Sequence, residues 1–202
     1  DWAAFHHDLY RAVGRGRFAV MEQQPGPVNW APSNAEPLAS APAFWGMEAI
    51  AHGAEFVSFF RYQQLPFAQE QMHAGLRLPN GDPAPAWAPV QQLAEHIASL
   101  PDMPTAPARV ALLFDYPSCW ATSVQPHAPG MQHLETAMDY YSAARRHGLN
   151  IDLVHQHSSL DGYALLMIPG STFVSEKLVD EIIACEVDCL AGARRGSRSP
   201  DL

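Results

Sequence analysis

Two successive α/β units, each a parallel sheet with helices packed on it, are the fold that this 202-residue sequence predicts. Short apolar and β-branched runs alternate with segments whose apolar residues recur at helical spacing, the pattern of strands joined by crossover helices. The alternation occurs twice. Between the two series, Pro101-Asp102-Met103-Pro104-Thr105-Ala106-Pro107 concentrates prolines without any apolar period, as a boundary does.

In the first unit, Phe18-Ala19-Val20-Met21 reads as a buried strand ending at Glu22, because Gln23-Gln24-Pro25-Gly26-Pro27 breaks any regular element. Phe44, Met47, Ile50 and Ala51 predict a helix over 42–52, and Gly53 supplies its stop. Phe56-Val57-Ser58-Phe59-Phe60 is aromatic and β-branched and predicts the second strand. After a long polar loop, Asn80-Gly81-Asp82-Pro83 marks a turn, and Trp87, Val90, Leu93, Ala94, Ile97 and Leu100 line one face of another helix. The second unit opens with a strand at Arg109–Phe114, followed by a helix through Leu134, Met138 and Tyr141 that Gly148 closes. Ile151–Val154, Tyr163–Ile168 and a weaker run at Val187–Ala191 predict further strands, with a helix about 175–184 between the last two. This is the open, doubly wound pattern. The sequence stops at Pro200-Asp201-Leu202 without a closing helix, so an incomplete second domain is expected.

Composition narrows the function. With 48% apolar residues the chain can build a buried core, which excludes disorder as a whole-chain description. The formal charge is −9, and Lys177 is the single lysine among 12 basic residues, so no basic stripe exists to bind nucleic acid. Apolar runs such as Val110–Phe114 and Ala164–Ile168 fall far short of the ~20 residues of a membrane helix. Asp1-Trp2-Ala3-Ala4-Phe5-His6-His7-Asp8 has neither the basic start nor the apolar core of a signal peptide, and Cys119, Cys185 and Cys189 are too few for a disulfide framework. A cytoplasmic protein is expected.

Glu22 is the first chemical candidate, because strand ends in parallel α/β architectures open onto the face where active sites collect. The plain alternative is a solvated acid at a loop start. Gln23, Gln24, Asn29 and Trp30 close behind it offer amide hydrogen bonds and a flat apolar face, and a sugar uses both. In Gln69-Glu70-Gln71-Met72-His73, Glu70 could accept from two vicinal hydroxyls and His73 could donate or accept one more bond if the segment makes a helical turn. The alternative there is an exposed loop with an incidental histidine.

Other patterns carry less. Gly14-Arg15-Gly16-Arg17 precedes a strand and lacks a third glycine, so it reads as a turn. Cys185 and Cys189 have no second ligand pair to complete a zinc site, and no metal is expected. His155 and His157 read as exposed polar residues, Met131 and Met138 as core, and no G-x-S-x-G elbow or phosphate loop occurs.

The segment Val20-Met21-Glu22-Gln23-Gln24-Pro25-Gly26-Pro27-Val28-Asn29-Trp30 closely resembles the nucleophile segment of glycoside hydrolase family 42, the microbial β-galactosidases. The resemblance continues through Ala51-His52-Gly53-Ala54, Phe60-Arg61, Pro66–Leu76 and the glycine- and arginine-bearing stretch Gly192–Leu202. It implies the C-terminal portion of a (β/α)8 TIM barrel over residues 1–104, followed by an incomplete flavodoxin-like trimerisation domain over 105–202. It also implies that Glu22 is the nucleophile, that Trp30 walls the galactose, and that Glu70 and His73 bind its hydroxyls. Arg61 and Gln23 lie near the expected site without an assigned role.

A retaining glycosidase holds two carboxyl groups about 5–5.5 Å apart, one attacking the anomeric carbon and one acting as acid and then base. Glu22 would be the first. By the resemblance the second follows an asparagine upstream of Asp1, and no Asn-Glu pair occurs in these 202 residues. The family's cysteine zinc cluster is upstream as well, so no cofactor is expected in this segment. The implied parent is a homotrimer acting on β-galactosides. The isolated chain, with two of eight barrel strands, is expected to be inactive and to aggregate or stay partly unfolded. Two alternatives stand: a catalytically silent sugar-binding or trimer-scaffold remnant, and a barrel glycosidase acting on arabinosides or fucosides.

Overall fold

The structure is a computed structural model that describes residues 1–101, 106–126, 128, 131–193 and 198. Part of the boundary segment, residues 102–105, and most of Gly192–Leu202, residues 194–197 and 199–202, lie outside the described residues. The chain forms two compact units, Gly14–Thr105 and a second made of Asp1–Val13 with Ala106–Leu202.

In the Gly14–Thr105 unit, β1 (Phe18–Gln23) pairs in parallel with β2 (Ala54–Phe59), and α2 (Ala41–Ala51) is the crossover between them. Their register, Phe18 with Ala54 and Gln23 with Phe59, shifts on either side of Val20. Gly53, at φ +96°, turns the chain from α2 into β2 in the left-handed conformation that glycine adopts without strain. α3 (Trp87–Ser99) packs on α2, and Leu93 is its buried anchor. Strands and helices thus sit where the apolar periodicity placed them, but the strands are not the buried ones expected: β1 has no buried residue and exposes Met21, and in β2 only Ala54 is buried, since each pairs with just one neighbour among the described residues. Gly14-Arg15-Gly16-Arg17 is a turn, closed by Arg17 N donating to Gly14 O.

The other unit is a four-stranded, fully parallel sheet in the order β4-β3-β5-β6, where β3 is Val110–Leu113, β4 Ile151–Val154, β5 Leu165–Ile168 and β6 Asp188–Ala191. The chain moves from β3 outward to β4, then returns past β3 to β5, a doubly wound order. Strand pleating splits the core in two. Val110, Leu112, Ile151, Leu153 and Met167 face Phe5 of α1 (Trp2–Val13) and Ala137, Tyr141 and Ala144 of α5 (His133–Arg146). Ala111, Leu113, Val154, Leu166 and Ile168 face Leu160, Val187 and Leu178 of α6 (Glu176–Ala184).

Two helices depart from the sequence expectation. No helix was expected at 116–124, yet α4 (Tyr116–Val124) forms there, with Asp115 accepting from Ser118 N at its start. Its buried positions, Ser118 and Thr122, are polar, so no apolar stripe announces it. α1 falls before the 104/105 boundary in sequence but packs with the second unit, because Phe5 sets its edge on Phe114 and Tyr141 at centroid distances of 5.4 and 5.3 Å. Among the described residues, no helix is long and apolar enough to cross a membrane.

His133 gives this unit a pH dependence. Burial depresses its pKa below 6.5, with the Asp115 carboxylate 3.9 Å away opposing the shift. As pH falls through 6.5 the unfolded chain takes up the proton first, so acidification favours unfolding, by up to about 1.4 kcal/mol per pH unit for one proton. Denaturant midpoints measured from pH 7.5 to 5.5 should fall, and fall less steeply in His133→Gln.

Candidate active site

Parallel pairing puts the C-terminal ends of β1 and β2 on the same side, and the candidate residues follow those ends. Glu22 is exposed as the penultimate residue of β1. The next residue, Gln23, accepts from Phe60 N through its carbonyl (3.1 Å), which ties the β1 end to the residue that follows β2. Phe60 O in turn faces His73 Nε2 at 3.3 Å, the Phe60 and His73 rings meet edge to face at 5.2 Å, and His73 Nδ1 lies 3.4 Å from the Asn29 side-chain amide. The Phe60–Arg61 peptide bond is cis.

The loop that carries Glu70 and His73 makes the expected turn, with His73 N donating to Glu70 O at 2.8 Å. His73 is only 6% exposed, so it is no incidental surface histidine. Glu70 stays exposed, at φ +58°, and its carboxylate accepts from Arg61 Nη2 at 2.7 Å. Two glycines permit the close packing here, Gly26 where the loop after β1 meets this one and Gly75 where this loop folds back on its own start. A Cβ on Gly26 would stand 2.8 Å from Ala74 Cβ, and one on Gly75 would stand 2.3 Å from Gln64 N. Ala74 N donates to Pro27 O (3.0 Å) across the same junction.

Glu70 and His73 are therefore held at the end of β2 through Arg61 and Phe60, and Glu22 neighbours them through the main chain of Gln23 alone. Trp30 follows Asn29 and stands 75% exposed, held from behind by a turn in which Ala31 N donates to Asn34 Oδ1 and Asn34 Nδ2 donates back to Ala31 O. A cavity of about 610 Å³ lies between the two loops, lined by residues that include Gly26, Asn29, Glu36, Gln64 and Met72. It touches the constellation at Asn29. Arg61 and Asn29 are the residues whose contacts the sequence left unread, and the signal was their place just past the two strands.

Cys119 lies in α4, its thiol pushed up to about 11 by burial and then by Asp115, Cys185 closes α6, and Cys189 lies in β6. Among the described residues no three His, Cys, Asp or Glu side chains converge as ligands.

Residues 1–100 match the family model of the glycoside hydrolase 42 β-galactosidases, and residues 108–186 match that of the β-galactosidase trimerisation domain. The chain belongs to glycoside hydrolase family 42. It corresponds to the C-terminal part of the family 42 catalytic domain and a segment of the trimerisation domain. A β-galactosidase of Thermus thermophilus is 49% identical over 199 residues, 98% of this chain and 31% of that protein. The crystal structure of the β-galactosidase from psychrophilic Marinomonas ef1 superposes with a TM-score of 0.91 at 41% identity, covering 98% of this chain and 32% of that one. The β-galactosidase of the haloarchaeon Halorubrum lacusprofundi gives 0.92 at 37% identity, covering 98% and 30%. The chain thus spans about a third of the length of these family 42 relatives, and its parallel α/β units share their fold.

Proposed function

We propose that this chain supplies the nucleophile and part of the sugar pocket of a retaining β-galactosidase that hydrolyses terminal non-reducing β-D-galactosides. The observation that carries the reading is the strand-end constellation: an exposed Glu22 at the end of β1, tied through Gln23 and Phe60 to the turn bearing Glu70 and His73. Glu22 attacks C1 as a carboxylate, and an acid carboxyl protonates the departing glycosidic oxygen. Water then cleaves the galactosyl ester, giving its proton to the same second carboxyl group. That second group comes from sequence upstream of this chain, in the (β/α)8 barrel whose C-terminal part residues 1–104 supply. Trp30 presents a flat face to the apolar side of galactose, while Glu70 and His73 bind its hydroxyls.

The flavodoxin-like unit, residues 105–202 in this reading, holds the intact enzyme as a homotrimer acting in the cytoplasm. The match of residues 108–186 to the trimerisation-domain model supports the oligomer. A 2-deoxy-2-fluoro-galactoside with a good leaving group tests it. Peptide mapping of the inactivated full-length enzyme should place the sugar on Glu22, and a label on any other residue removes the assignment. The 202-residue chain alone should release no nitrophenol from a nitrophenyl β-galactoside.

A further inference from the structure

Arg61 is the unassigned cation of this constellation. It directly follows Phe60 at the end of β2, its guanidinium lies 4.9 Å over the Phe60 ring, and its side chain is only 13% exposed. One arm is accounted for: Nη2 donates to Glu70 Oε2 at 2.7 Å. The other is not, since Nη1 is buried and meets no acceptor among the described residues. A buried guanidinium nitrogen without an acceptor is costly, and such groups are retained where a partner arrives from elsewhere. Ion pairing with Arg61 also holds the Glu70 carboxylate in one orientation, on a residue whose backbone already occupies the left-handed region.

We propose that Arg61 is a specificity-determining residue of the galactoside site, fixing Glu70 with one arm and donating from the other to a hydroxyl of the bound sugar. This rests on the reading of Glu70 as a sugar ligand. Because the guanidinium offsets the Glu70 charge, the pair presents donors and acceptors together without a net charge, a surface suited to a neutral hexose with vicinal hydroxyls.

The test uses the full-length enzyme and nitrophenyl β-galactoside with its 2-, 3-, 4- and 6-deoxy analogues. Arg61→Met should raise KM about tenfold or more, the range of a lost charge-assisted hydrogen bond, while kcat changes less. The penalty should shrink on one deoxy analogue, the one lacking the hydroxyl that Nη1 contacts. Arg61→Lys should recover part of the loss, because an ammonium can still pair with Glu70 but lacks the second arm. Equal penalties on the parent substrate and all four analogues, or an unchanged KM, overturn the proposal. Glu22→Gln run in parallel separates the failures: retained activity in that variant defeats the nucleophile assignment, whatever Arg61 does.

Discussion

Glu22→Gln in the full-length protein is expected to lower hydrolysis of nitrophenyl β-galactoside by about 10⁴-fold or more, with KM little changed. The amide keeps the size of the carboxylate but has no electron pair able to form the glycosyl ester, and removal of a covalent nucleophile commonly costs this much. Glu22 is exposed at the end of β1, so the change should leave the melting temperature where it was. Chemistry adds a second readout. In Glu22→Gly, added azide should restore turnover of an activated substrate, attacking C1 as the nitrophenolate departs and leaving a galactosyl azide of inverted configuration. Activity above a few per cent in Glu22→Gln, or an azide product of retained configuration in Glu22→Gly, defeats the nucleophile assignment.

Asp8→Ala should cost the Asp1–Val13 and Ala106–Leu202 unit about 3–5 kcal/mol. Asp8 is 2% exposed and anchors a polar cluster inside an apolar one: Arg11 Nη1 sits 2.7 Å from Asp8 Oδ1, and the Tyr141 hydroxyl donates to Oδ2 at 2.5 Å. Arg11 also reaches Asp152 (2.9 Å), whose other oxygen accepts from the Tyr163 hydroxyl (2.9 Å). Burial, and then the bond to Asp8, pushes the Tyr141 hydroxyl far above its ordinary pKa, so it stays a donor at every physiological pH. Truncating Asp8 leaves a buried phenol and one arm of a mostly buried guanidinium without their acceptor, the situation in which broken ion pairs are most destabilising. Tyr141→Phe removes only one hydrogen bond and should cost about 1 kcal/mol. Urea melts of the two single variants and the double variant measure the coupling. A loss below about 1 kcal/mol in Asp8→Ala would show that the cluster does not hold α1 in place.

The strands and most helices were legible from apolar runs and apolar spacing, which β3, β4, β5, α5 and α6 bury, whereas β1, β2 and β6 keep the apolar composition with little burial. Val110–Leu113 is buried on both faces and reads as an unbroken apolar run, and α2 and α3 end close to where their apolar residues stop. α4 was illegible for the opposite reason, since it turns Ser118 and Thr122 inward, where they bond to Thr172 N and to the carbonyls of Ser118 and Cys119. Its start was nevertheless written in Asp115 and Pro117, a capping acid followed by a residue suited to the first turn. At the site, residue type and place along the chain pointed to Glu22, Glu70 and His73. The contact of His73 with Asn29 depends on how two loops meet, and the pairing of Arg61 with Glu70 on how one loop folds back on itself, which no local pattern encodes.

The tight packing at Gly26 and Gly75 also bears, on the proposed galactosidase reading, on how substrate range can drift. A methyl group at either position collides with its neighbour, most severely at Gly75, where the obstacle is main chain and cannot step aside. Mutational exploration is therefore shut out at the base of the Glu70 loop and left open at its tip, where Phe67, Gln69, Gln71 and Met72 point their side chains into solvent. If the proposed function holds, new preferences for the group attached to the sugar should arise from changes at that rim, while the packed base of the loop stays fixed.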